Sequence, residues 1–543
     1  PAGTNVTLRF AEVLNPDGTI YTANLRAATS TDHFILKGAG EEVFEPHFTF
    51  HGFRYIEVSG YPGTPPLDAV TGVVLSSATQ PSGSFTCSSE LLNKLQHNIV
   101  WGQLGNFLSI PTDCPQRDER LGWTGDAQVF ARTAAFNMDV AGFFSKWLAD
   151  LAADQDASGS LPWVIPNPLG GDSTQFAGTA GWGDATVIVP WTVYFAYGDR
   201  RLLERQYPSM RAWVEYERRR AGAELIWRPG WQFGDWLAFH SDDPSYPGAT
   251  TGTDLIATAF LAHSADLLGR AAAALGRDDE AARYGALFRD VRMAFDREFV
   301  TRNGRVGENT QTAYALALAF DLLPDSLVPA AAERLAADIR ARDVHLTTGF
   351  LGTPHLLPVL SATGHLDLAY ELLTQRSYPS WLYPITRGAT TMWERWDGIR
   401  PDSTFEDPGM NSFNHYAFGA VGDWMYRTIG GIDADPAAPG YRKARIAPHP
   451  GAGLTHARAS LETLYGTLAS AWRRDGRQFV LEVTVPPNTS AEVTLWETEV
   501  GRIREGGRPV SDAPGVYAVR RQGSDVIVTI GSGSYEFTVA RAP

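Results

Sequence analysis

At 543 residues, with 44% hydrophobic and 20% charged side chains, the chain is long enough for two to four hydrophobic cores and ordinary in composition for a globular protein. It has no apolar run of membrane-helix length, and a net charge of -15 with no Lys/Arg-rich run interleaved with aromatics opposes contact with phosphate backbones, so neither a membrane nor nucleic acid is an expected partner. Two cysteines, Cys87 and Cys114, rule out a disulfide scaffold and a four-cysteine zinc site but leave a single disulfide open.

Pro1-Ala-Gly leads straight into strand-like sequence with no basic segment followed by an apolar one, as if something upstream had been removed. The compartment is left open, with a cytoplasmic one as the default expectation. Residues 1–86 alternate apolar and polar side chains in short runs such as Val6-Thr-Leu-Arg-Phe10 and Arg54-Tyr-Ile-Glu-Val58, broken by Asn-Pro-Asp-Gly and Tyr-Pro-Gly. They read as a β-sandwich domain, one that is incomplete.

The period then changes. From Ser88 or Ser89 as N-cap, Leu91, Leu92, Leu95 and Ile99 fall at helical spacing. Helices are expected near 90–106, 126–136, 138–154, 184–197, 200–220, 253–274, 278–299, 310–322, 327–342, 354–363, 366–376 and 414–428. Twelve helices in consecutive pairs over residues 87–432 suggest an α/α barrel of six hairpins. The Gly-, Pro- and Trp-rich connections at 157–183 and 226–251 are too long for simple turns and are expected to wall a cleft. In residues 433–543 the period returns to two, as in Phe479-Val-Leu-Glu-Val-Thr-Val485 and Val526-Ile-Val-Thr-Ile530, which predicts a C-terminal β-sandwich.

The 16 Trp, 19 Tyr and 27 Phe are costly to keep wet and must line a core or a groove for a ligand with apolar faces, as sugars have. Two stretches carry the acidic chemistry. Residues 113–126 gather Asp113, Arg117, Asp118, Glu119 and Asp126 around Pro115, Gly122 and Gly125, in a loop shaped to turn side chains toward one point. A solvated charge run, with Asp126 capping the next helix, is the competing reading. In the second stretch Glu394 and Asp397 lie among Trp393 and Trp396. Partial desolvation there raises a carboxyl pKa and readies it for proton transfer, unless Glu394 pairs with Arg395 or another arginine as a structural ion pair. Two chain-distant acids in aromatic, Gly-rich loops suggest a glycosidase, which needs an acid for the leaving oxygen and a base for water.

These residues resemble a known family. The 113–126 run looks like the signature of the α-L-rhamnosidases of glycoside hydrolase family 78, and Glu394 sits in what resembles the family's second acidic motif. The resemblance covers nearly the whole chain and implies an (α/α)6 barrel catalytic domain flanked by N-terminal and C-terminal β-sandwich domains; family members usually carry further β domains ahead of residue 1. It implies release of terminal α-L-rhamnose, with Glu119 as general acid, Glu394 as general base and inversion at the anomeric carbon, the carboxyls standing about 6.5–9.5 Å apart. By the same resemblance Asp113, Arg117 and Asp126 hold rhamnose hydroxyls. Arg117 would pull down the pKa of nearby Asp residues while Glu119 stays protonated. Trp123, Trp182 and Trp236 match the family's aromatic wall for the C5 methyl, and His415 aligns with a sugar-contacting histidine. Asp184 and Asp235 are further hydroxyl ligands or helix caps.

No zinc-type histidine spacing, calcium-loop period or cofactor fingerprint is present, so no metal and no cofactor are expected. Expected partners are rhamnose-containing glycosides such as flavonoid glycosides or oligosaccharides; aglycone and oligomeric state are not legible. A polysaccharide lyase on the same barrel would need a basic or Tyr proton abstractor, which the acidic cluster argues against, and a carbohydrate-binding protein that has lost turnover remains the non-enzyme alternative.

Overall fold

A computed structural model describes residues 1–170, 178–228, 230–239, 250–476, 478–496 and 498–540. Parts of both long connections, residues 171–177 and 240–249, therefore lie outside the described residues.

The N-terminal unit is a three-stranded antiparallel sheet in the order β2-β1-β3, built from β1 (Asn5–Ala11), β2 (Thr31–Ile35) and β3 (Tyr55–Ser59). Among the described residues it is a single three-stranded layer, which is less than a full sandwich. β3 ends where 60–66 reads Gly-Tyr-Pro-Gly-Thr-Pro-Pro, since prolines that lack an N–H cannot extend a ladder. The next strand, β4 (Gly83–Cys87), leaves this unit altogether and pairs antiparallel with His456–Thr463 at the edge of a C-terminal sheet.

Eleven longer helices follow among the described residues: α1 (Glu90–Asn106), α2 (Thr124–Asn137), α3 (Ala141–Asp154), α4 (Ala185–Tyr197), α5 (Arg200–Ala221), α6 (Thr253–Ala274), α7 (Asp278–Phe299), α8 (Gln311–Ala319), α9 (Val328–Ala341), α10 (Thr353–Ala362) and α11 (Leu366–Thr374). Ser89 is the N-cap of α1, its hydroxyl accepting from Leu92 N. The expected helix at 414–428 is a continuous coil at 417–429 that passes from 3-10 through α to π pitch. α3 starts three residues later than expected because Met138 is in an extended bridge with Pro81. α8 stops at Ala319 as Asp321 turns to a φ of 56°.

Two kinds of helix alternate. α2, α6 and α8 are buried nearly all round, whereas α5 buries one stripe, including Leu203, Tyr207, Met210 and Val214, and leaves its arginines outside. Consecutive helices pack as α4 with α5, α6 with α7, α8 with α9 and α10 with α11. The buried set also packs laterally, α2 on α4, α4 on α6, α6 on α8 and α8 on α10, and the 417–429 coil contacts both α10 and α2.

The C-terminal region has a seven-stranded sheet running from Arg508–Pro509 through Ile503–Glu505, Gly533–Ala540, Gln478–Val485, Gly466–Asp475 and His456–Thr463 to β4. A five-stranded sheet orders Val516–Gln522, Asp525–Ile530, Ser490–Leu495, Lys443–Ile446 and Ile432–Ala434. Alternate residues such as Ala491, Val493 and Leu495, and Leu468 and Trp472 on the other sheet, are buried in a common core. Cys87 and Cys114 are both free and buried, so the disulfide left open is not formed. No helix among the described residues is long and apolar enough to cross a membrane.

Candidate active site

The loop between α1 and α2 is closed on itself before it reaches α2. Asp113 N donates to Leu121 O at 3.0 Å, and Leu121 N donates back to Asp113 Oδ1 at 2.9 Å. This pinches residues 114–120 into a compact turn that points Arg117 and Glu119 inward and leaves Asp118 exposed. Gly122 and Gly125 are required here by space, since a Cβ at Gly122 would collide with the Ile165 carbonyl and one at Gly125 with the Trp182 ring. The second acidic segment is held by its neighbour in the chain: Glu394 N donates to Ser412 O, Ser412 N to Glu394 Oε2 at 2.8 Å, and His415 N to Met392 O.

Arg117 joins the two segments. Its guanidinium, only 1% exposed, donates from Nε to Glu119 Oε2 at 3.0 Å, from Nη1 to Glu394 Oε2 at 2.9 Å, and from Nη2 to Glu394 Oε1 at 3.2 Å and Asp113 Oδ2 at 3.3 Å. Because one rigid planar group reaches both glutamates, their facing oxygens lie within about 8 Å of each other. Glu119, 16% exposed in its side chain, also accepts from Trp123 Nε1 at 2.8 Å and Arg26 Nη2 at 2.8 Å. Behind them His415 Nε2 and Asp126 Oδ1 form a buried pair at 3.0 Å.

Burial on its own would raise the Glu394 carboxyl, but Arg117, His415 and the Ser412 N–H together hold it below its ordinary value. This reverses the expectation that desolvation between indoles raises it. Trp393 packs on Phe413 and Trp396 on Phe418 and Trp381, and the ion pair is made with Arg117, while Arg395 pairs with Asp397. Asp113 departs from expectation in the other direction. Burial, reinforced by Glu119, pushes it up to about 7 against the pull of Arg117 and His415, and burial likewise raises Asp126 in spite of His415. Arg117 thus does not hold these Asp residues down, because its charge is already shared among three carboxylates. His415 is disfavoured as a cation by burial, yet Asp126, Glu394 and Asp113 raise it overall. Asp113, Cys114 and Glu119 bring potential metal-ligating atoms within 4.8 Å of one another, but the guanidinium already supplies the cation at this point.

The aromatic residues meet at Phe233. Trp182 stacks on it at 4.3 Å, and Trp123 and Trp236 meet it edge-on at 5.8 and 5.7 Å. Asp184 and Asp235 are not open ligands. Asp184 accepts from Gly181 N, Trp213 Nε1 and the Ser264 hydroxyl, and Asp235 from Thr312 and the N–H groups of Gly349, Leu351 and Gly352. A cavity of about 1160 Å³ lies against the N-terminal sheet and is lined by groups such as Phe10, Phe53, Trp101 and Trp393. Neither Glu119 nor Glu394 lines it, although Glu12, Asp32 and Glu45 do.

Family models for the bacterial α-L-rhamnosidase concanavalin-like domain, 6 hairpin glycosidase domain and C-terminal domain match residues 1–76, 80–429 and 431–508 in turn. The chain belongs to the family 78 α-L-rhamnosidases. A curated α-L-rhamnosidase from Streptomyces avermitilis is 51% identical over 99% of this chain and 50% of its own length, and one from Formosa agariphila is 44% identical over 98% and 57%. The chain therefore spans about half the length of the curated relatives it matches. Among solved structures, the S. avermitilis α-L-rhamnosidase complexed with L-rhamnose superposes with a TM-score of 0.92 at 50% identity, covering 99% of this chain and 50% of that one. A native α-L-rhamnosidase from Aspergillus terreus gives 0.89 at 40% identity, covering 99% and 59%.

Four residues of this rhamnosidase-family site escaped sequence reading: Glu12, Arg26, Phe233 and Ser412. Phe233 had a signal, lying in the aromatic-rich connection already singled out as a cleft wall. Glu12, whose Oε2 accepts from Asn24 Nδ2 and Phe413 N, and Arg26 come from the N-terminal unit, and nothing in their local pattern marks them.

Proposed function

We propose that the chain is the catalytic part of an inverting α-L-rhamnosidase that releases terminal, non-reducing α-L-rhamnose from glycosides such as flavonoid glycosides or oligosaccharides. Residues 87–432 form its (α/α)6 barrel, with β domains at 1–86 and 433–543 and β4 shared with the latter; the lateral packing of α2, α4, α6, α8, α10 and the 417–429 coil supports this reading.

One observation carries the mechanism: Glu119 and Glu394 bind a single guanidinium through different nitrogens, Nε and Nη1, which brings an acid and a base to one point, and the upper bound of about 8 Å on their facing oxygens is compatible with the spacing of an inverting pair. Glu394 is the base. Its Oε2 is occupied by Arg117 and Ser412 N, while Oε1 takes, among the described residues, only Arg117 Nη2 and keeps a lone pair for water. Glu119 is the acid, nearer the solvent, delivering its proton to the departing glycosidic oxygen as water attacks from the opposite face. Asp113, Arg117, Asp126 and His415 hold sugar hydroxyls, and a neutral Asp113 has an O–H to donate as well as oxygens to accept. Trp123, Trp182 and Trp236 supply the apolar wall.

The test is proton NMR of the first sugar released from an aryl α-L-rhamnoside. β-L-rhamnose is expected first, and Glu119→Gln is expected to cut turnover on a poor leaving group at least about a hundredfold. Initial α-L-rhamnose would mean retention and defeat the mechanism; binding without turnover would make the chain a carbohydrate-binding protein.

A further inference from the structure

The N-terminal unit reaches into the helical region at the acid loop. Arg26 ends the 3-10 turn Ala23–Leu25 with φ 56° and ψ -118°, a conformation that a residue with a Cβ adopts only against strain. Its guanidinium spans two consecutive carboxylates, Nε donating to Asp118 Oδ1 at 2.7 Å and Nη2 to Glu119 Oε2 at 2.8 Å. Nη1 donates to Gly409 O at 3.4 Å, in the loop leading to Ser412 and His415. The Ala27 N–H adds a bond to Asp118 Oδ2 at 3.2 Å. The Arg26 side chain is 30% exposed, and ion pairs so placed contribute little stability. Stability alone gives no reason to hold a strained backbone on this loop.

We propose that Arg26 is a positioning residue for the acid step, which makes the N-terminal unit part of the catalytic machinery. The inference rests on Glu119 being the acid. Arg117 Nε and Arg26 Nη2 together occupy Glu119 Oε2. Oε1, bonded among the described residues only by Trp123 Nε1, is left as the oxygen able to carry the transferable proton. Without Arg26 the carboxyl keeps Arg117 Nε on Oε2 and Trp123 Nε1 on Oε1 but loses its second donor on Oε2 and the tie to Asp118, so its orientation is held less tightly and the proton faces the leaving oxygen in fewer complexes. A lysine replaces the charge but not the fork, since one ammonium cannot hold Asp118 and Glu119 in the same geometry.

The experiment compares Arg26→Ala, Arg26→Lys and Glu119→Gln on dinitrophenyl and methyl α-L-rhamnosides. Dinitrophenolate departs without protonation, whereas methoxide needs the acid. Arg26→Ala is expected to lose about 10–100-fold in kcat on the methyl glycoside but under about threefold on the dinitrophenyl one. Arg26→Lys should show the same asymmetry more weakly, and it carries the comparison if the alanine variant fails to fold. Equal losses on both substrates, with Glu119→Gln still asymmetric, would overturn the role of Arg26 alone. Equal losses for Glu119→Gln would bring down the acid assignment, and the proposal with it.

Discussion

Replacing Glu12 by Gln should stabilise the protein, and only above mildly acidic pH. Glu12 is 6% exposed; its Oε2 accepts from Asn24 Nδ2 at 2.9 Å and Phe413 N at 3.0 Å, while Oε1 has no partner among the described residues. Burial pushes the carboxyl from 4.5 up to about 7, with the Phe413 N–H, Arg117 and Asn24 pulling the other way. A carboxyl raised on folding binds its proton more tightly in the native state. Stability therefore falls as pH climbs from the ordinary value to the raised one, and stays lower above it. Across this interval the loss is about 3 kcal/mol. Glutamine keeps an acceptor for Asn24 and Phe413 and never ionises. Glu12→Gln is therefore expected to melt roughly 2–3 °C above the parent near pH 8, with the gap closing near pH 4. Thermal melts followed by circular dichroism across that range test it. A gap that does not change with pH, or a variant less stable near pH 8, would show that Glu12 is not a strained buried acid.

Arg117→Met should cost about 3–5 kcal/mol, because it leaves Glu394 buried without its cation, and activity should vanish as Glu394 takes up a proton. Adding Glu394→Gln should recover part of the lost melting temperature, whereas a single variant that melts like the parent would refute the central role given to Arg117. Phe233→Ala removes the ring on which Trp123, Trp182 and Trp236 converge, and is expected to raise KM for an aryl rhamnoside about tenfold with kcat little changed; an unchanged KM would place the sugar elsewhere.

Sequence by itself determined the order of elements and the membership of the acid loop. The helices expected at 253–274 and 278–299 are α6 and α7 to the residue, because helical period records which face is buried. Gly122 and Gly125 betrayed the loop because their missing side chains are a spatial requirement, met by Ile165 and Trp182. Period does not record what does the burying, and for that reason β4 looked like the end of the N-terminal unit although its partner is His456–Thr463. Only the tertiary structure put Arg117 on Glu394, 277 positions away, and brought Glu12 and Arg26 to the site. It alone decided the ionisation pattern too, since each carboxyl answers to a contest between burial and nearby charge. For Glu394 the Arg117 and Ser412 donors and the nearby His415 charge prevail; for Asp113 burial does. Residue type names the groups that enter the contest, and distance sets its outcome.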